Sequence, residues 1–214
     1  MFDAEQAQFA AMTSVPLFPL PNVVLFPRAI LPLHVFEERY KDMTADALIG
    51  PGRVAMALLR PGWEKSYHER PAIEPVVCVG TILSHERLPD GKYNFLLQGQ
   101  TRARVVHEQS GKSYREAVVA PLFEPRVLEI DMEGERCRLA RMFAEGPVAS
   151  IPAADFFRRL IAGYTPTNDI VDLAAFNLLE DLALKQSLLA DADPRSRAAR
   201  VLAALGNAVD PSTN

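Results

Sequence analysis

Residues able to do chemistry are thinly scattered along this chain. Ser84, His85 and Glu86 come nearest to a nucleophile with its base. They are consecutive, however, and neighbours on a strand point to opposite faces, so Ser84 and His85 cannot pair there. The four histidines (His34, His68, His85, His107) show neither HxxxH nor HExxH spacing, and zinc would need three or four ligands gathered from distant segments. They are read as polar or partly buried structural residues. Cys78 lies in an apolar run and Cys137 in a charged helical one, with no CxxC, so both are read as reduced structural thiols in a cytoplasmic setting. Gly111-Lys112-Ser113 has the look of a P-loop ending, but the first glycine that motif needs falls on Val106. No catalytic residue, metal site or cofactor is expected, and the chain is read as non-enzymatic.

Two groups point to binding instead. Trp63, Tyr67 and His68 sit in a proline-rich loop spanning 60–75, where aromatics held out by a scaffold can anchor a protein partner. The competing reading is that Trp63 folds back as a lid. Arg102, Arg104, Lys112 and Arg115 would make a small basic stripe of use to RNA, or else a solvated strand face with ion pairs to Glu108 and Glu116. The overall field disfavours nucleic acid and anionic membranes. Net charge is −4, with 13 basic against 14 acidic residues up to position 124 and 10 against 13 beyond it.

These residues need elements to hold them. From Val15 to Phe36 the chain is apolar yet carries Pro16, Pro19, Pro21, Pro27 and Pro32, which rules out a long helix or an unbroken central strand. Short extended pieces joined by turns are expected, with apolar residues lining a barrel and prolines at its corners. Phe36, Tyr40, Met43 and Ala47 mark one helix face, ended by Gly50-Pro51-Gly52. Strands follow at 54–59, 76–83, 93–97, 101–107 and 114–122, with a turn at Leu88-Pro89-Asp90-Gly91 and a bulge or close approach at Gly99. Six or seven strands with such corners imply a closed or nearly closed barrel. Beyond Pro125 the period lengthens to that of helices, expected at 129–145, 152–162, 169–179 with Asn168 as N-cap, 182–189, and from Asp193-Pro194 to Gly206. The expected class is α+β: a lead-in over 1–12, a β-barrel domain over 13–124, an α-helical domain over 125–209 and a tail over 210–214. The start lacks the pattern of a signal peptide, and no run is long and apolar enough for a membrane span.

The ordered set Pro16-Leu17-Phe18-Pro19-Leu20, Val24-Leu25-Phe26-Pro27, Leu31-Pro32-Leu33-His34-Val35-Phe36-Glu37, Arg39-Tyr40, Val79-Gly80-Thr81, Leu88-Pro89-Asp90-Gly91 and Leu97-Gln98-Gly99 resembles the amino-terminal substrate-binding domain of the Lon protease family. Val171-Asp172-Leu173 and Lys185-Gln186 resemble its downstream helices. Arg28 departs from the pattern, standing where many relatives have glycine. The resemblance implies a PUA-like β pseudobarrel followed by an α-helical bundle. It also implies a module that binds exposed hydrophobic polypeptide or a specific protein partner, an RNA-binding PUA-like module being the alternative. The ATPase and serine-lysine peptidase regions of Lon proteases have no counterpart in these motifs, so ATP hydrolysis and proteolysis are not expected of this chain.

Overall fold

A computed structural model describes residues 12–67 and 69–207. The expected lead-in, apart from Met12, and the tail lie outside the described residues. The chain divides between Phe123 and Glu124 into two compact units. The first contains β1 (Thr13–Leu20), β2 (Ile30–Val35), α1 (Glu38–Ile49), β3 (Arg53–Leu58), β4 (Val76–Arg87), β5 (Tyr93–Gln109) and β6 (Arg115–Pro121). Five helices follow in the second: α2 (Glu133–Ala144), α3 (Ala154–Ala162), α4 (Thr167–Leu178), α5 (Leu182–Ala190) and α6 (Pro194–Asn207).

The proline-rich stretch opens with one unbroken strand rather than short pieces. Its prolines are tolerated because β1 is never paired on both sides along most of its length: Thr13–Leu17 pair with β6, antiparallel, and Leu17–Leu20 with β3, parallel. Pro16 and Pro19 therefore each sit on what is locally an edge, the one setting in which a sheet spares a missing N–H.

The two strands expected at 93–97 and 101–107 are one 17-residue strand. Tyr93–Gln98 of β5 pair with β2 and Ala103–Gln109 with β6, while β4 runs alongside both halves. Following the pairings from β5 through β4, β3, β1 and β6 leads back to β5. Small side chains from these five strands meet inside: Val15 and Leu17, Ala55 and Ala57, Val77 and Val79, Ala103, Ala117 and Val119. A narrow ring leaves room only for residues of this size. On the outside, Tyr40 of α1 packs its ring 4.5 Å from Phe18 of β1, with Met43 and Ala47 buried alongside. Phe36 precedes α1 and is exposed, so the helix face begins one turn later than its spacing predicts.

The bend in β5 falls at Gly99, beside a register shift that sets Val79 opposite Thr101 and Gly80 opposite Gly99. Here the backbone of the 26–29 loop crosses: Arg28 N–H donates to the Gly99 carbonyl at 2.8 Å and Gly99 N–H to the Ala29 carbonyl at 2.9 Å. Arg28 is held at φ 67 to do so, the left-handed region that glycine enters at no steric cost and other residues enter rarely.

In the second unit the rings of Phe143 (α2) and Phe157 (α3) stack at 4.8 Å. The expected 129–145 helix starts as a 3-10 turn, Glu129–Met132, and becomes α-helical at Glu133. Asn168 is not an N-cap: α4 begins at Thr167, whose N–H donates to the Glu129 carboxylate at 2.9 Å, and Asn168 instead accepts from Arg197 at 2.5 Å. Asp193 does cap α6, accepting from the Arg195 N–H at 2.9 Å, and Gly206 lies inside that helix rather than ending it. Arg136 gathers the carbonyls left open at the end of α3, donating to Ile161 at 2.6 Å, Gly163 at 2.8 Å and Thr165 at 2.8 Å.

A Cβ at Gly99 would stand 2.0 Å from the Phe26 carbonyl oxygen. Because both partners are backbone, Gly99→Ala is expected to cost roughly 3 kcal/mol, read as a lower midpoint in thermal or urea unfolding. An unchanged midpoint would mean that the loop is not clamped there.

Candidate functional site

Trp63 and Tyr67 come together, whereas His68 lies outside the described residues. Trp63 opens a 3-10 turn after Gly62, and its ring meets that of Tyr67 edge to face at 5.5 Å. The pair is tied to the start of α1. Tyr67 Oη donates to Glu37 Oε1 at 2.5 Å, and Arg39 Nε donates to Glu37 Oε2 at 3.1 Å. The Arg39 guanidinium lies 4.6 Å from the Tyr40 ring centre and 5.0 Å from that of Tyr67. Burial pushes the Tyr40 phenol up to about 12, and burial with the Glu37 contact raises that of Tyr67. Both loop aromatics are half-buried, so the loop is partly folded back and partly presented.

The expected basic stripe does not form. Arg102 is only 1% exposed, its guanidinium 5.9 Å from the Phe26 ring. Arg115 is also buried, donating to both Glu108 oxygens at 2.9 and 2.5 Å and to the Pro71 carbonyl at 2.7 Å. Arg104 and Lys112 remain exposed, Lys112 on the turn between β5 and β6, where its Nζ is 2.7 Å from Asp46 Oδ2. Desolvating two of the four guanidinium and ammonium groups inside the fold leaves no continuous cationic track for a phosphate backbone.

The histidines His34, His85 and His107 face solvent rather than the interior. Among the described residues no group of three or more His, Cys, Asp or Glu side chains could hold a metal ion. Cys78 is buried, its thiol donating to the Val79 carbonyl at 3.8 Å, but Cys137 is exposed on α2.

An apolar surface escaped the residue pattern. The β2 half of the proline-rich stretch does not line the ring; among the described residues it pairs with β5 alone, and it turns Ile30, Pro32 and His34 outward, opposite Gln98, Leu96 and Asn94. Ile30 is 46% exposed, Leu96 39%, Leu83 50% and Phe36 60%. A cleft of about 440 Å³ runs between β2 and β4, floored by Pro32, Leu96 and Ser84 and bordered by His34, whose Nδ1 lies 2.7 Å from Asn94 Oδ1. The strand, Ile30-Leu31-Pro32-Leu33-His34-Val35, is largely apolar on both faces, so residue order alone does not mark which face is turned outward.

A ring of five paired strands with a flanking sixth, followed by a separate helical unit, is an α+β arrangement shared with the amino-terminal domains of Lon proteases. The N-terminal domain of the Mycobacterium avium complex Lon protease superposes with a TM-score of 0.71 at 15% identity, covering 92% of this chain and all of that one. The Lon N-terminal domain protein from Xanthomonas campestris gives 0.63 at 25% identity, covering 89% and 98%. Residues 14–207 match the model of the ATP-dependent protease La (LON) substrate-binding domain, and the chain belongs to that family. It is 29% identical over 209 residues to the Lon protease of Lawsonia intracellularis and 22% identical over 197 residues to that of Desulfosudis oleivorans. The chain spans about a quarter of the length of these relatives, 24% in each case. No helix among the described residues is long and apolar enough to cross a membrane.

The Lys112 and Tyr114 side chains both donate to Asp46, at 2.7 Å each, and hold its carboxyl below the ordinary 3.8. A depressed carboxylate stabilises the fold above its unfolded pKa and loses that contribution as pH falls through the folded one. Comparing urea midpoints of the native chain and Asp46→Asn from pH 6 down to pH 3, the gap between them is expected to hold at first and to close as pH drops below about 4. A gap independent of pH would show that the pairing contributes nothing.

Proposed function

We propose that this chain is a non-catalytic, cytoplasmic polypeptide-binding module, and that its first unit is a PUA-like β pseudobarrel and its second a helical bundle. Its ligand is an exposed apolar segment of another polypeptide or a specific protein partner. The observation that carries this reading is the outward face of β2 and β5, where Ile30 and Leu96 stand exposed and Pro32 and Leu96 line an open cleft, with Leu83 of β4 and Phe36 after β2 exposed as well. Large apolar side chains gain nothing from water, and a group of them exposed on one sheet is a common mark of a contact surface. Membership of a substrate-binding domain family supports the same ligand class. The half-buried Trp63 and Tyr67, tethered through Glu37 and Arg39, are proposed as a second contact on the same unit. An RNA-binding role draws no support from Arg102 and Arg115, which are buried.

Recognition on the main face rests on side chains rather than on adding a strand. Among the described residues β2 is paired on one side only, but Pro32 at its centre has no N–H to offer a further strand. Immobilised protein probed with an array of apolar and polar peptides is expected to retain the apolar ones. Leu96→Asp should weaken retention about tenfold or more, the equivalent of losing one buried leucine contact, and the double variant Trp63→Ala, Tyr67→Ala should weaken it further. Absence of retention of any peptide would sink the proposal, and salt-sensitive retention of RNA in its place would favour the alternative.

A further inference from the structure

We propose that Glu37 is the positioning residue of the loop contact: its carboxylate fixes where Tyr67, and through Tyr67 the indole of Trp63, is presented to a polypeptide. This role rests on the reading above, in which the two aromatics form a contact. What singles Glu37 out is that its side chain does nothing for its own helix. It stands at the N-cap of α1 with extended backbone (φ −70, ψ 137), a place where Ser, Thr, Asp or Asn would accept from a first-turn N–H. The Glu37 carbonyl accepts from the Tyr40 and Lys41 N–H groups at 3.0 and 2.9 Å, but its carboxylate makes no capping bond. One oxygen, Oε1, turns instead to the loop and accepts from Tyr67 Oη at 2.5 Å. The other, Oε2, accepts from Arg39 Nε at 3.1 Å, and Arg39 Nη1 in turn donates to the Tyr67 carbonyl at 3.4 Å. Tyr67 is thus gripped at its hydroxyl and at its backbone, with the guanidinium 5.0 Å from its ring centre.

The two ends of the loop are closed without Glu37. Arg60 N–H donates to the Ala72 carbonyl at 2.9 Å, Leu59 bridges to Ile73, and Arg115 holds the Pro71 carbonyl at 2.7 Å. Removing the carboxylate therefore loosens the aromatics and leaves the stem and the ring of strands in place. Gly62, just before Trp63, has nothing within 4 Å of where a Cβ would stand, so the chain entering the 3-10 turn is open on that side. The Trp63 ring meets Tyr67 edge to face at 5.5 Å, and a shift of Tyr67 is passed on to it. A contact held in place before binding avoids the ordering cost that a loose one meets on binding. The carboxylate acts on affinity by this route, through the aromatics rather than by direct contact.

Trp63 is the single tryptophan of the chain, so its emission reports on this contact alone. The test compares the full native chain with Glu37→Ala, Glu37→Gln and Tyr67→Phe in two measurements: acrylamide quenching of Trp63, and affinity for the labelled peptide Ser-Leu-Phe-Val-Leu-Ser, which has no tryptophan. Glu37→Ala and Tyr67→Phe are each expected to raise the quenching constant and to weaken the peptide about threefold, the ordering cost of one loosened side chain. Combining the two should be no worse than Glu37→Ala alone, because both remove the same bond. Glu37→Gln keeps an acceptor for the Tyr67 hydroxyl and should restore most of both readouts. Tyr67→Phe keeps the ring, and thermal midpoints near that of the native chain separate a displaced indole from an unfolded one. Quenching unchanged in both Glu37→Ala and Tyr67→Phe, raised quenching with unchanged affinity, or additive losses in the double variant overturn the proposal and leave the reading beneath it standing. A native chain that does not bind the peptide takes down both.

Discussion

The first unit depends on a single close approach, that of the 26–29 backbone to Gly99. Strand β5 has to serve β2 at one end, β6 at the other and β4 along both. The partners at its two ends lie on the same edge of it, and the ring closes through β6 only if β5 turns between them. The extra residue opposite β4 supplies that turn, and the crossing loop is bonded to the backbone there. A side chain at that point would displace the loop, and with it Phe26, which packs against Arg102. The bulge, the loop and the buried arginine are thus one arrangement.

How much of this was legible from residue order varied with the kind of signal. Gly99 announced itself by interrupting a strand pattern, and Tyr40, Met43 and Ala47 by helical spacing, because both signals are local. Arg102 and Arg104 stand two apart on β5, the spacing of residues on one face of a strand. What alternation does not say is whether that face is covered, and Phe26, more than seventy residues earlier, decides it for Arg102. The same limit applies to β2: an apolar, proline-containing stretch was expected to be lining, yet only β1 lines the ring and β2 flanks it. Asn168 was misread because its competitor as a cap, Glu129, is distant in sequence.

Arginines carry much of the polar organisation in both units, and the two units use them differently. In the first, Arg39 and Arg115 each join a charged partner to a loop carbonyl, tying 67–71 to α1 and to the β5–β6 hairpin. In the second, Arg197 is fully buried and reaches Glu124 at 2.7 Å, Asn168 at 2.5 Å, the Asp191 carbonyl at 2.8 Å and Asp172 at 3.5 Å. Burying such a charge carries a desolvation cost that only a full set of partners offsets. The arrangement therefore favours one register of α4 against α6 over its neighbours, since a slip by one turn would strand the guanidinium.

The divided pairing of β1 bears on the order in which the first unit can be assembled. Its first half is bonded to β6, with Thr13 opposite Val119, and its second half to β3, with Leu20 opposite Leu58. The strand that leaves the ribosome first must accordingly wait for the one that leaves last, across more than a hundred residues, before the ring can close. Local contacts such as the β4–β5 hairpin are available much sooner, and long-range pairings pay their loop-closure entropy before any bond rewards it. During synthesis β1 is left as an apolar strand with unsatisfied edges, and its two prolines, by removing donors from both of them, make it a poor template for the wrong neighbour in that interval.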